Sequence, residues 1–111
     1  MAEGRLITWL GQVPSITAAQ FAAFDAMLQS AHGQTRIGTA QYQAVGPVTV
    51  ASALYSTSLA QAMIRVKPDA PTTLYLNMLW ATIPNIAALK VDVQAIFGFQ
   101  GATIIENAVR L

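Results

Sequence analysis

The sequence predicts a single α+β domain, in which a mostly antiparallel sheet carries one or two helices on one face. Three observations support this class. One segment has a capped, amphipathic helical pattern, several others are rich in β-favouring residues between turn signals, and 111 residues suffice for one core. We therefore assign residues 1–111 to one domain.

The clearest element is a helix predicted over residues 18–31. Thr17 and Gln20 have the spacing of a capping box, in which each side chain binds the other residue's backbone amide. Gly33 is expected to stop the helix, and His32 lies where the helix dipole is negative. The residues that recur on the expected buried face are Phe21, Phe24, Leu28 and Ala31, and those assigned to the opposite face are Asp25 and Gln29.

Most of the remaining chain predicts β-strands separated by turns. The strands are expected at 5–10, 36–45, 48–55, 59–67 and 72–82. The turns are expected at Gly46-Pro47, Ser56-Thr57-Ser58 and Pro68-Asp69-Ala70-Pro71. In the last strand, alternation puts Leu74, Leu76, Met78 and Trp80 on one face, which should be core.

The segment 85–99 fits two structures, because its apolar residues satisfy both a helical and a strand period. A second helix at about 86–97 is favoured by a weak repeat at an offset of seventy residues, in which 13–18 resembles 83–88. A strand is favoured by Val91 and Val93 and by the glycines at 98 and 101, with 103–111 pairing back as a hairpin. Of the two structures, we slightly favour the strand.

The two alternatives lead to different subclasses of α+β fold. If the repeat is structural, two strand-helix-strand units around a central hairpin give a ferredoxin-like sandwich. If it is not, one helix packs on a curled antiparallel sheet, as in cystatin-like folds. Both place the helical layer on one face of the sheet.

The composition argues against several classes of function. Charged residues are 10% of the chain, against about 25% in an average soluble domain. Six basic and five acidic residues are scattered, so no basic stripe for nucleic acid is present. With no cysteine, one histidine and no phosphate-binding glycine motif, we expect neither a cofactor nor a metal. We expect no signal peptide and no membrane span, because the uncharged stretches are interrupted by prolines and asparagines.

A small-ligand or catalytic domain with an apolar pocket is the alternative hypothesis. Its walls would be Trp9, Tyr42, Tyr55 and Trp80, and its acid or base would be Asp25, His32 or Asp92. The same aromatics are as well explained by core packing, and a single histidine at a helix end by helix termination.

The hypothesis we favour is a non-enzymatic subunit that associates with copies of itself, of the type found in viral or phage particles, tubes or shells. Tyr75, Asn77 and Leu79 share the strand face opposite the expected core, and that face is too apolar for open water. Uncharged polar residues suit a surface buried between subunits, because a buried charge needs a partner. We name these three residues as the candidate interface and expect the protein in a virion or the cytoplasm.

Overall fold

In a computed structural model, which describes residues 3–13, 16–45, 48–67, 73–82 and 84–110, two helices pack on a six-stranded antiparallel sheet. The α+β class is therefore confirmed. In chain order the elements are β1 (Glu3–Gln12), α1 (Ala18–Ala31), β2 (Arg36–Val45), β3 (Val48–Tyr55), β4 (Leu59–Lys67), β5 (Thr73–Trp80), α2 (Ile86–Phe97) and β6 (Gln100–Arg110).

The strand order across the sheet is β2-β3-β4-β5-β1-β6. The N-terminal strand β1 lies inside the sheet, where Ile7 is opposite Met78 of β5 and Glu106 of β6. Two strand-helix-strand segments flank the β3-β4 hairpin, which turns at Ser56-Thr57-Ser58 as predicted. The domain has two strands more than a ferredoxin-like βαββαβ domain, which has four. It has one helix more than the single-helix, cystatin-like arrangement. Neither subclass is therefore established. The expected turns at 46–47 and 68–71 lie outside the described residues.

The core lies between the helices and one face of the sheet. On β5, every second side chain is buried, namely Leu74, Leu76, Met78 and Trp80, as the alternation predicted. Helix α1 contributes Phe21, Phe24 and Leu28, whereas Ala31 is exposed. The two helices meet at Phe24 and Phe97, whose ring centroids are 5.6 Å apart. The buried side chains of β5, α1 and α2 all belong to one continuous hydrophobic cluster.

Both ends of α1 follow from its flanking residues. The Thr17 hydroxyl accepts from the Gln20 amide at 3.1 Å, and the Gln20 side chain accepts from the Thr17 amide at 2.8 Å. The capping box is thus confirmed. At the other end, Gly33 has a left-handed backbone (φ 65°), which lets the chain turn back towards the sheet.

The preference for a strand at 86–99 is wrong, because residues 86–97 form helix α2. The Asn85 side chain accepts from the Ala88 amide at 3.2 Å, and Gly98 ends the helix in the left-handed conformation with φ 63°. A strand would have buried Val91 beside its neighbours, but Val91 is 68% exposed. The residues that α2 buries are Leu89, Val93 and Phe97, at helical spacing. Two caps and a continuous apolar stripe outweigh the β-propensity of two valines.

The C-terminal strand was also expected to pair back on the preceding segment, and this expectation is wrong too. Strand β6 pairs with β1 instead, with Thr8 opposite Ile105 and Arg5 opposite Ala108. Helix α2 crosses over the sheet between β5 and β6, so the final strand reaches the far side of β1.

Candidate interaction surface

The face of the sheet that is turned away from the helices is not covered by any other element that the structure describes, and we call it the outer face. Its side chains alternate along each strand with those of the core. From β2 to β6 across the sheet, it is formed by Ile37, Gln41, Gln43, Val50, Ser52, Leu54, Gln61, Met63, Arg65, Thr73, Tyr75, Asn77, Leu79, Leu6, Thr8, Leu10, Gln12, Thr103, Ile105, Asn107 and Val109.

The side chains of the outer face that the structure describes carry little charge. Among its side chains that the structure describes, Arg65 is the one charged group. Large apolar side chains lie open to solvent on the same face: Ile37 is 52% exposed, Leu54 51% and Ile105 46%. An antiparallel sheet that faces water on one side normally carries polar and charged residues there. Large exposed apolar side chains among uncharged polar residues are typical of a contact surface.

The candidate interface residues Tyr75, Asn77 and Leu79 lie in the middle of the outer face, on β5. All three are half-buried within a single copy. The Thr8 hydroxyl donates to the Asn77 side-chain oxygen at 2.9 Å across the β1-β5 pair. Leu79 is opposite Leu6 on β1, so an apolar strip continues from one strand to the next.

Two depressions lie on the outer face. A shallow one of about 200 Å³ is lined by Leu6, Gln61, Met63, Asn77 and Leu79. An open groove of about 380 Å³ lies at one end of the sheet, lined by Leu10, Gly11, Gln12, Thr73, Tyr75, Gln100, Gly101 and Thr103. Among the described residues neither lining contains a charged side chain, and the groups on offer are hydroxyls, amides and apolar surface.

On the helix side of the sheet, Asp25 joins α1 to β2 and β3, which are the last two strands at one edge of the sheet. Its carboxylate accepts hydrogen bonds from the Tyr55 hydroxyl at 2.9 Å, Arg36 Nε at 3.1 Å and Gln29 Nε2 at 2.9 Å. The Asp25 side chain is only 13% exposed, so it does not face open solvent. Three donors occupy this carboxylate, which leaves it poorly placed to remove a proton from a substrate.

The Tyr55 phenol is the one described group with a strongly shifted pKa. Burial raises the pKa of Tyr55 well above its ordinary value, and the hydrogen bond to the Asp25 carboxylate raises it further. The positive charge of Arg36 acts in the opposite direction but is a smaller influence. The phenol therefore stays protonated and serves as a fixed hydrogen-bond donor.

The structure also brings His32 and Asp92 together, although sixty positions separate them in the sequence. His32 Nε2 is 2.8 Å from a carboxylate oxygen of Asp92, and the His32 side chain is 9% exposed. This contact ties the C-terminal end of α1 to the middle of α2. Within the described residues no side-chain hydroxyl hydrogen-bonds the His32 ring.

The four aromatics proposed as pocket walls do not line one cavity among the described residues. Trp9, Tyr55 and Trp80 belong to the hydrophobic core, each less than 5% exposed. Tyr42 packs against Phe21 on α1, with ring centroids 6.2 Å apart. Trp80 Nε1 is buried and has no hydrogen-bond partner in the described part of the chain.

A residue that the sequence does not single out, Gln34, organises the connection between α1 and β2. Its side-chain oxygen accepts from the amides of Ser58 and Leu59, at 3.0 and 2.9 Å. Its side-chain nitrogen donates to the His32 carbonyl and the Ser58 hydroxyl, each at 2.8 Å. Gln34 is 4% exposed, and all of its amide's hydrogen-bonding capacity is used. A glutamine beside a glycine carries no sequence signal for this role.

The described residues contain no group of three or more His, Cys, Asp or Glu side chains that could hold a metal ion. None of their helices is both long enough and apolar enough to cross a membrane. No protein-family model matches the chain, and no curated protein shows significant similarity to it.

Proposed function

We propose that this protein is a non-enzymatic structural subunit that assembles with copies of itself through the outer face. Subunits of this type build viral or phage particles, tubes or shells. The observation that carries the proposal is the outer face itself, which spans six strands and contains a single charged group among its described side chains.

The size of the outer face suits a stable contact between two folded copies. From the usual strand spacing and rise per residue, six strands of about eight residues cover roughly 700 Å². A stable protein interface buries about 800 Å² on each partner. One outer face stacked on another is therefore close to the standard interface size, without any further element.

The chemistry of the outer face favours burial against an identical surface. The apolar residues Leu6, Met63 and Leu79 surround Asn77, whose hydrogen-bonding needs are partly met by Thr8. Burying such a surface does not require ions to be stripped of water, which is the main penalty of a charged interface. Arg65 is the exception, and its long side chain can keep its charge in solvent.

The proposal is tested by the native mass of the wild-type protein and of a matched pair of variants. Wild type should sediment as a multimer at both about 0.1 and about 1 M salt, because few ion pairs hold the contact between outer faces. Leu79→Glu places a carboxylate in the middle of the outer face, so we expect the assembly to fall to species of at most two copies. Val91→Glu adds the same charge on α2, where residue 91 is 68% exposed, and should leave the mass unchanged.

Two outcomes would overturn the proposal. One is a wild-type protein that sediments as a monomer at every salt concentration. The other is a folded Leu79→Glu variant, verified by its far-ultraviolet circular dichroism, that keeps the wild-type mass. If Leu79→Glu does not fold, Tyr75→Glu on the same face provides the second test, since Tyr75 is also half-buried there.

A further inference from the structure

We infer that β6 is a second self-interface, which pairs antiparallel with β6 of another copy about a twofold axis at Ala108 and continues the sheet. The inference rests on the proposed function and deepens it. A subunit with one twofold contact forms only dimers, whereas a subunit with two different twofold contacts can form larger assemblies.

Strand β6 is an open edge of the sheet. It ends the strand order next to β1, and no other described strand pairs with its far side. It is eleven residues long, and its side chains from Ile105 to Ala108 are exposed. An edge of this length presents a row of free backbone donors and acceptors, which is a template for another strand.

The opposite edge, β2, is less suited to pairing. Its register with β3 is interrupted between Ile37 and Gln41, where Gly38 has a left-handed backbone with φ 69°. Arg36 Nη1 also donates to the Gly38 carbonyl at this irregularity. A bulge of this kind twists an edge strand away from partners. By contrast, β6 pairs with β1 without a shift from Thr103 to Arg110.

The charges on β6 select one register of self-pairing. Glu106 and Arg110 lie on the same side of the strand, about 13 Å apart, so they do not contact each other within one copy. Antiparallel pairing about Ala108 places Glu106 of each copy opposite Arg110 of the other. Pairing about Glu106 or about Arg110 would instead put like charges face to face, which is destabilising.

The register with β1 shows which residues would flank the twofold axis. In the paired sheet, the row that contains Arg110 would also contain Glu106 of the second copy. The middle row would have Arg5 beside Ala108, with the small Ala108 side chains meeting on the axis. This twofold axis also leaves both outer faces on the same side of the joined sheet.

The chain contains no cysteine, so a single introduced thiol reports one contact. We would use the Leu79→Glu background, in which contacts between outer faces are removed. Ala108→Cys should form a disulfide-linked dimer under mild oxidation, because paired antiparallel residues lie within disulfide range. Thr103→Cys, exposed on the same strand but far from the axis, should not.

A charge change tests the register. Added to Ala108→Cys, Glu106→Lys puts two lysines opposite two arginines, and we expect cross-linking to slow about tenfold. Asn107→Lys introduces a lysine at the neighbouring position, on the other face of β6, and should have little effect. Equal cross-linking at 103 and 108, or no response to Glu106→Lys, would overturn the edge pairing. Such a result leaves the outer-face proposal standing if wild type is still multimeric, whereas a monomeric wild type defeats the proposal itself.

Discussion

Replacing Gln34 with leucine is expected to lower the free energy of unfolding by about 3 kcal/mol. Leucine fills a similar volume but removes four hydrogen bonds at once. The amides of Ser58 and Leu59 would lose their acceptor, and Leu59 is completely buried. A buried donor without a partner costs more than an average hydrogen bond contributes, because it has also lost its water.

The measurement is chemical denaturation in the Leu79→Glu background at one fixed protein concentration, because the stability of any remaining dimer depends on concentration. Gln94→Leu is the matched control. Gln94 is exposed and makes one side-chain hydrogen bond, to the Phe99 carbonyl at 2.8 Å, so its replacement should cost less than about 1 kcal/mol. Equal costs for the two variants would contradict the role assigned to Gln34.

Replacing Asp25 with alanine is expected to cost about 2 to 4 kcal/mol. The change leaves the Tyr55 hydroxyl and the Arg36 guanidinium without their shared acceptor, and Tyr55 is 4% exposed. Asp92→Ala is the comparison, because Asp92 is 35% exposed and bonds only His32 among the described residues. We expect Asp92→Ala to cost about 1 kcal/mol or less. The opposite ranking in denaturation experiments would contradict this account.

The raised pKa of Tyr55 adds a pH dependence to the same cluster. The folded protein keeps the phenolic proton when the unfolded chain, with a pKa of about 10, has begun to lose it. This contribution to stability is complete below pH 10 and is lost as the pH rises above it, by up to about 1.4 kcal/mol per pH unit. The stability of Tyr55→Phe should therefore fall less steeply than that of wild type between about pH 10 and 11. Parallel slopes would contradict the raised pKa.

Much of the fold is predictable because its signals are local. The N-terminal cap of α1 is encoded by Thr17 and Gln20. The two faces of β5 are encoded by the strict alternation of its residues. Helix α2 is harder to predict, because Val91 and Val93 suit a strand while Asn85 and Gly98 suit the ends of a helix. The contact of Phe97 with Phe24 on α1 adds to the preference for a helix, and that contact joins distant parts of the chain.

The placement of β6 and the polar clusters could not be read from local patterns. No pattern within β6 tells that it pairs with β1 rather than with its sequence neighbours. Asp25 has the spacing of a solvent-facing residue, but Tyr55 from β3 reaches it across the helix-sheet boundary. Predicting the candidate interface residues on β5 requires only the alternation of side chains along one strand. The extent of the outer face required the whole strand order.

If another copy covers the outer face, a methionine on that face should be protected from oxidation, and the two methionines at 63 and 27 allow the comparison. Met63 lies on the outer face and Met27 on α1, and both are half-buried within one copy. Peroxide converts an accessible methionine to its sulfoxide, which mass spectrometry quantifies for each peptide. We predict that Met63 oxidises several-fold more slowly than Met27 in wild type, and that the two rates converge in Leu79→Glu. Equal rates in wild type, unchanged by Leu79→Glu, would contradict the coverage of the outer face by another copy.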